Sequence, residues 1–123
     1  MSTPTRSAIL ESNDLNSVKV PVPEWGEEDC CVWVRTLTAS ERDGFESSMI
    51  EQRGGKSKAT TLQNIRARFA VLTVVDEEGK RIFDDNDAEE LGKKSAQVVD
   101  RLFSAAQKQN GMSAEDVEEI AGN

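Results

Sequence analysis

Apolar residues recur at helical spacing between Thr60 and Val75, the densest apolar block of the chain. Side chains three or four residues apart share one face of an α-helix. Thr60 and Gln63 have the spacing of a capping box directly before this pattern, which favours a helix beginning there. We therefore predict a helix over Thr60–Val75 that forms the centre of the core. Its buried stripe comprises Leu62, Ile65, Phe69 and Leu72.

A strand is the alternative for the last part of this block. Val71, Thr73 and the two following valines are β-branched, and an acidic turn follows at Asp76–Gly79. Such a pattern is typical of a β-hairpin from Val71 to Phe83. The helix is preferred because the apolar period starts directly behind the capping residues.

Valines alternate with other residues in an earlier part of the chain. Residues 1–17 are mostly polar, and we expect them to form a flexible arm. Valines then alternate with other residues in Val18–Val22 and again around Trp33, which predicts a β-hairpin whose valine face packs on the helices. Pro21 restricts the first strand to the edge of a sheet.

A second helix is predicted to begin near Thr38, because Thr38 and Glu41 again have capping-box spacing. Phe45 and Met49 lie four residues apart and mark its buried face. Two glycines and three basic residues between Gln52 and Ala59 favour a flexible loop after this helix.

The C-terminal part alternates turns and helices. After a turn at Asp76–Gly79, Ile82 and Phe83 are expected to return to the core, and an acidic run then caps a short helix that ends near Gly92. Ser95 begins a longer helix that stops at Asn110-Gly111, and Ser113 begins a final short helix. The predicted buried face of the longer helix comprises Val99, Leu102, Phe103 and Ala106.

These elements predict an α+β fold that is mainly α: an N-terminal β-hairpin followed by a bundle of about four to five helices. We expect residues 1–17 to form the arm and residues 18–123 to form a single domain, which suits a chain of 123 residues.

The charge balance narrows the class of partner. Charged residues make up 31% of the chain, and the net charge is −8. An acidic protein of this kind is a poor ligand for nucleic acids and anionic membranes, whose phosphates attract basic surfaces. The sequence has no apolar run of membrane-spanning length and no secretory signal pattern, so we expect a cytoplasmic protein.

The sequence offers little for catalysis or for ligand binding. It contains no histidine, the commonest general base and nitrogen ligand. Cys30 and Cys31 are adjacent, whereas a zinc site needs four ligands. The acidic run after Phe83 lacks the glycine and glutamate that a calcium-binding EF-hand loop requires, and Arg53–Ser57 lacks the first glycine of a phosphate-binding loop. We therefore predict no catalytic residue, cofactor or metal.

Three segments together resemble the tail assembly chaperones of long-tailed bacteriophages and prophages: VRTLTASERD, VVDEEGKRIF and DRLFSAAQKQNGMS. The resemblance runs from about Val18 to the C-terminus and leaves the arm outside. It implies a non-enzymatic protein that binds the tape measure protein, assists polymerisation of the tail tube protein and is absent from the mature virion. It also implies a longer form made by ribosomal frameshifting. We further expect homo-oligomers, because self-association suits a chaperone that coats a long partner.

Large aromatic and apolar side chains are the candidates for contact with such a partner, because they commonly anchor interfaces. They are Trp25, Trp33 and any uncovered part of Leu102 and Phe103. The alternatives are that Trp33 belongs to the core and that Trp25 only closes the hairpin. The alternative function is a small acidic regulator or inhibitor, either antitoxin-like or a nucleic-acid mimic. Basic residues such as Arg66, Lys94 and Arg101 are interleaved with the acidic ones, whereas a mimic would gather one sign of charge.

Overall fold

The alternating valines form two strands of a small antiparallel sheet, as predicted. The structure is a computed structural model, and it describes residues 2–55 and 58–112. Strands β1 (Ser17–Pro21) and β2 (Cys31–Arg35) pair as a hairpin, and a third strand, β3 (Val74–Val75), pairs with β2, giving the order β1-β2-β3. Val32 and Val34 are buried, which confirms the predicted packing face.

The free edge of the sheet is that of β1. Val22 donates to the carbonyl of Cys30, so in an antiparallel pair the alternate residues Ser17, Lys19 and Pro21 direct their backbone groups away from β2. Pro21 has no N–H to donate. Its carbonyl accepts a hydrogen bond of 3.0 Å from the Arg101 guanidinium, so this end of the edge is occupied.

Helices occupy most of the remaining described chain, which confirms the mainly α class. Single turns of 3₁₀ helix occur at Pro23–Trp25 and Asp85–Asp87. The α-helices are α1 (Arg6–Glu11), α2 (Ala39–Gly55), α3 (Lys58–Thr73), α4 (Ala88–Leu91) and α5 (Ala96–Gln109).

The central helix is present, but both of its predicted ends are wrong. Helix α3 begins at Lys58 and ends at Thr73, and Val74 and Val75 form β3. The strand alternative is therefore correct for those two valines and wrong for Val71 and Thr73. The helix ends because the backbone of β3 pairs with Trp33 and its neighbour in β2, a contact distant in sequence that competes with helical hydrogen bonding.

Two arginines hold the end of α3 against the sheet. The Arg35 guanidinium donates two hydrogen bonds to the carbonyl of Leu72, at 2.8 and 3.1 Å. Arg81, which pairs with β3, donates to the carbonyl of Val71 at 2.8 Å. The last carbonyls of a helix lack intrahelical partners and carry partial negative charge, so these cations stabilise the helix terminus.

The capping box that was predicted for α2 is confirmed. The Thr38 hydroxyl accepts from the N–H of Glu41, and the Glu41 carboxylate accepts from the N–H of Thr38. Partial burial would raise the pKa of Glu41. The Thr38 N–H and the Arg35 guanidinium, 2.9 Å away, outweigh that effect and lower the pKa below its ordinary value.

The loop predicted over Gln52–Ala59 is wrong at both ends. Helix α2 continues to Gly55, and α3 already contains Lys58 and Ala59. Each glycine costs a helix interior about 1 kcal/mol relative to alanine. The segment has no proline, however, and its other residues are mostly good helix formers.

The segment after β3 turns sharply, as predicted. The N–H of Gly79 donates to the carbonyl of Asp76, and Gly79 has a φ of 87°, a conformation that glycine adopts without steric strain. Phe83 packs against the core, but Ile82 is 47% exposed, so its predicted return to the core is wrong.

Helix α5 begins behind Ser95 and ends at Asn110, in agreement with the sequence analysis. The Asn110 side chain accepts from the N–H of Leu37 at 2.7 Å and donates to the carbonyls of Arg35 and Ala106. It therefore ties the end of α5 to the connection between β2 and α2.

The core contains a row of three aromatic rings from α2, α3 and α5. Phe69 is 1% exposed, and its ring centroid lies 5.1 Å from that of Phe45 and 6.0 Å from that of Phe103. This places Phe69 at the centre of the fold, as predicted. The side chains of Met49 and Leu62, and the predicted final helix from Ser113, lie outside the described residues.

Candidate partner-binding surface

The connection between β1 and β2 presents Trp25 at the surface. Val22 is buried, and its carbonyl accepts the N–H of Trp25 at 3.0 Å, which closes a turn directly after the strand. Gly26 follows, and a Cβ atom there would lie 3.0 Å from the sulfur of Cys30. This close approach favours glycine, because the Cys30 side chain would have to shift by a few tenths of an ångström to admit a larger residue.

An ion pair between residues far apart in the sequence fixes this connection to α5. The Arg101 guanidinium donates to both carboxylate oxygens of Glu24, at 2.8 and 2.7 Å. Because the hydrogen bonds favour the charged carboxylate, they lower the pKa of Glu24 from its ordinary value of 4.5 to about 2. They also raise the pKa of Arg101. The geometry is bidentate, which fixes orientation as well as distance.

Trp25 lines an open groove with a volume of about 630 Å³, which we call the Trp25 groove. Its apolar residues come from three separate parts of the chain. Trp25 and Phe83 are half-buried, and Leu91 is buried. The charged residues at the groove are Glu24, Asp87, Glu90 and Lys94. An apolar groove with a charged rim can bind an amphipathic helix, whose apolar side chains fill the groove while its polar flanks meet the rim.

The structure separates the four side chains that were predicted to bind a partner. Trp33 is half-buried on the sheet face opposite the buried valines, where its ring centroid lies 5.9 Å from the Lys19 ammonium. Leu102 is 0% exposed and belongs to the core, so it offers no surface to a partner. Phe103 is half-buried, edge-on to Phe69. Trp33, Leu102 and Phe103 are therefore not among the residues that line the Trp25 groove.

Sequence reasoning missed the other apolar residues of this groove. Phe83 was assigned to the core, and Leu91 was not singled out. A signal for Phe83 was present, because it follows a turn and precedes the acidic run that supplies part of the rim. That signal does not specify Trp25 as a neighbour, since the two aromatic residues are far apart in the sequence.

A second groove lies between β1 and α5 and has a volume of about 350 Å³. We call it the β1/α5 groove. Its apolar residues include Val18, Pro21 and Ala105, and its charged residues are basic: Lys19, Arg101 and Lys108. Val18 is 40% exposed, a high value for a valine whose strand neighbours on the same face are buried. All charged residues at this groove are thus basic, whereas those at the Trp25 groove are three acidic residues and one lysine.

A third cavity, of about 360 Å³, lies between α2 and α3. Burial lowers the pKa of Arg68 at its wall, and the Arg68 guanidinium donates to the Ser48 hydroxyl at 2.8 Å. Glu41, at the same cavity, serves as a cap for α2. Arg68 thus binds Ser48, and Glu41 binds Thr38 and Arg35, which fits a structural role for both residues.

Neither metal-binding clusters nor membrane spans occur in the described ranges 2–55 and 58–112. No group of three or more Cys, Asp or Glu side chains there is placed to hold a metal ion. Both cysteines are free thiols. No helix in those ranges is long and apolar enough to cross a membrane.

Comparison with known proteins identifies the family. The model of the phage tail assembly chaperone family matches residues 5–121. The match includes most of the N-terminal arm, so the expectation that the arm lies outside the resemblance is wrong. No curated protein and no solved structure matches the chain at a significant level. Since the family model covers nearly the whole sequence, the chain belongs to the phage tail assembly chaperone family.

Proposed function

We propose that this chaperone binds the tape measure protein of the tail and assists polymerisation of the tail tube protein around it. The observation that carries the proposal is the Trp25 groove in a member of this family. A long helical protein exposes apolar side chains until tube subunits cover them. A chaperone that shields those side chains in the meantime would prevent their aggregation, and it would act without catalysis in the host cytoplasm.

The groove determines the kind of tape measure segment that would bind. Its apolar surface suits aliphatic or aromatic side chains spaced three or four residues apart on one helix face. Three of its four charged residues, Glu24, Asp87 and Glu90, are acidic, and Glu24 is already paired with Arg101, which leaves Asp87 and Glu90 for a basic partner. We therefore expect the bound segment to carry lysine or arginine beside its apolar face, since complementary charge favours encounter and register.

Trp25 is the proposed anchor of this contact. It is a large aromatic side chain at the groove wall, and the connection that carries it is fixed by the Glu24–Arg101 ion pair. Burial of its exposed part by a partner would contribute binding energy at little cost in conformational entropy, because the loop is already ordered by that pair.

Co-expression with the tape measure protein tests the proposal. Tagged chaperone should retain the tape measure protein, and Trp25→Ala should lose most of that retention. Trp33→Ala is the matched control, because Trp33 is also half-buried but lies outside the groove. Retention lost in Trp33→Ala and kept in Trp25→Ala would move the contact to the outer face of the sheet. No retention by the folded wild-type chain would refute the proposal and favour the acidic regulator.

A further inference from the structure

The N-terminal arm carries exposed apolar side chains that no residue of the described ranges 2–55 and 58–112 buries. Ile9 and Leu10 on α1 are 55% and 66% exposed, and no residue of α1 is buried. A helix of six residues is marginal in water without tertiary contacts. Helix α1 would therefore gain stability from any surface that covers these two side chains.

The β1/α5 groove offers such a surface. Val18, Pro21 and Ala105 supply its apolar contacts, while Lys19 and Lys108 are exposed basic residues at its rim. In this structure α1 does not cover the groove of its own chain, since Val18 stays 40% exposed. In the connection between α1 and β1, the Asn13 side chain accepts from the N–H of Leu15 at 3.2 Å, and the Asn16 side chain donates to the carbonyl of Asp14 at 3.5 Å.

Charge indicates which groove suits the arm. The net charge of −8 makes two copies repel each other, so their association needs a local match of opposite charges. The apolar pair of the arm is followed by Glu11 and Asp14. Lys108 at the rim of the β1/α5 groove complements these carboxylates, whereas Asp87 and Glu90 at the Trp25 groove have the same sign of charge as the arm carboxylates.

We propose that the arm of one copy docks in the β1/α5 groove of a second copy. Ile9 and Leu10 contact the apolar residues of the groove, and Glu11 lies near Lys108. Arm and groove are different surfaces, so the contact joins unlike patches of the two chains. This self-association is separate from the proposed tape measure binding, which uses the Trp25 groove.

Sedimentation velocity of the full chain over a concentration series tests the proposal. The wild-type chain should associate as concentration rises. The double substitution Ile9→Ser/Leu10→Ser should weaken association about tenfold or more, because anchor residues dominate interfaces. Both side chains are exposed, so the fold should be unaffected. Trp25→Ala should leave association unchanged, which separates this test from that of tape measure binding.

A charge exchange tests the register of the contact. Glu11→Lys and Lys108→Glu should each weaken association about fivefold, and the two together should restore it. Lys80→Glu is the matched control, because it makes the same charge change as Lys108→Glu on an exposed turn away from both surfaces. A wild-type chain that stays monomeric at about 1 mM overturns the proposal. So does a double serine variant that associates normally, or a charge exchange without recovery.

Discussion

Replacement of Phe69 by alanine tests the position of the core. Phe69 is 1% exposed at the centre of the aromatic row, between Phe45 and Phe103. Truncation of a buried phenylalanine costs about 3 to 5 kcal/mol, which includes the cavity left behind. Loss of two ring contacts, each worth about 0.5 to 1.5 kcal/mol beyond area burial, places the expected cost near the upper end, about 4 to 5 kcal/mol. Domains of this size are commonly stable by about 5 to 15 kcal/mol, so the loss is a large share of the total.

Urea denaturation followed by circular dichroism measures this cost as the change in the free energy of unfolding. Phe103→Ala is the comparison, because Phe103 is only half-buried and contacts one ring of the row. It should cost less than Phe69→Ala. If Phe69→Ala leaves too little folded protein to measure, Phe69→Leu should still cost about 1 to 2 kcal/mol. A cost below about 1 kcal/mol for Phe69→Ala, or a larger cost for Phe103→Ala, would show that α3 does not hold the centre of the core.

Three further predictions concern individual hydrogen bonds and one ion pair. Asn110→Ala should cost about 2 kcal/mol in urea denaturation, because it removes the acceptor for the N–H of Leu37 along with two donated bonds, and a cost near zero would show that water replaces them. Thr38→Ala should lower stability by about 1 kcal/mol in the same assay, whereas Thr38→Ser, which keeps the capping hydroxyl, should lower it less. The pKa of Glu24 lies near 2 in the folded chain, against its ordinary value of 4.5 in the unfolded chain. Ionised Glu24 therefore stabilises the fold above pH 4.5, and this contribution disappears as the pH falls through about 2. Glu24→Gln should flatten stability against pH in that window, and an unchanged profile would mean that the pair with Arg101 does not form in solution.

Local signals in the sequence predicted the elements whose contacts are local. The capping box of Thr38 and Glu41 needs only residues three apart, and it forms as predicted. The stop at Asn110-Gly111 is similar, because glycine takes the positive φ that ends the helix. The alternating valines also predicted the face that the hairpin buries, because alternate residues of a strand lie on the same face of the sheet.

Contacts between distant residues decided the parts that the sequence did not predict. Val74 and Val75 have the composition of either a helix end or a strand, and pairing with β2 makes them a strand. The periodic pattern placed Leu102 on the packed face of α5, but it did not show that the side chain is fully buried. The Trp25 groove requires Phe83 to approach Trp25 from another part of the chain, and no local pattern encodes that approach.

The edge of β1 determines how readily the sheet could pair with sheets of other copies of the protein. An open edge pairs with any extended segment, and repeated pairing of this kind builds cross-β aggregates. Here Pro21 supplies no donor and its acceptor is held by Arg101, so only the backbone groups of Ser17 and Lys19 face outward. On the opposite side, β3 has two residues and is bridged to Arg81. Few backbone groups are therefore available for a continuous ladder between sheets of different copies, which disfavours cross-β aggregation through this sheet.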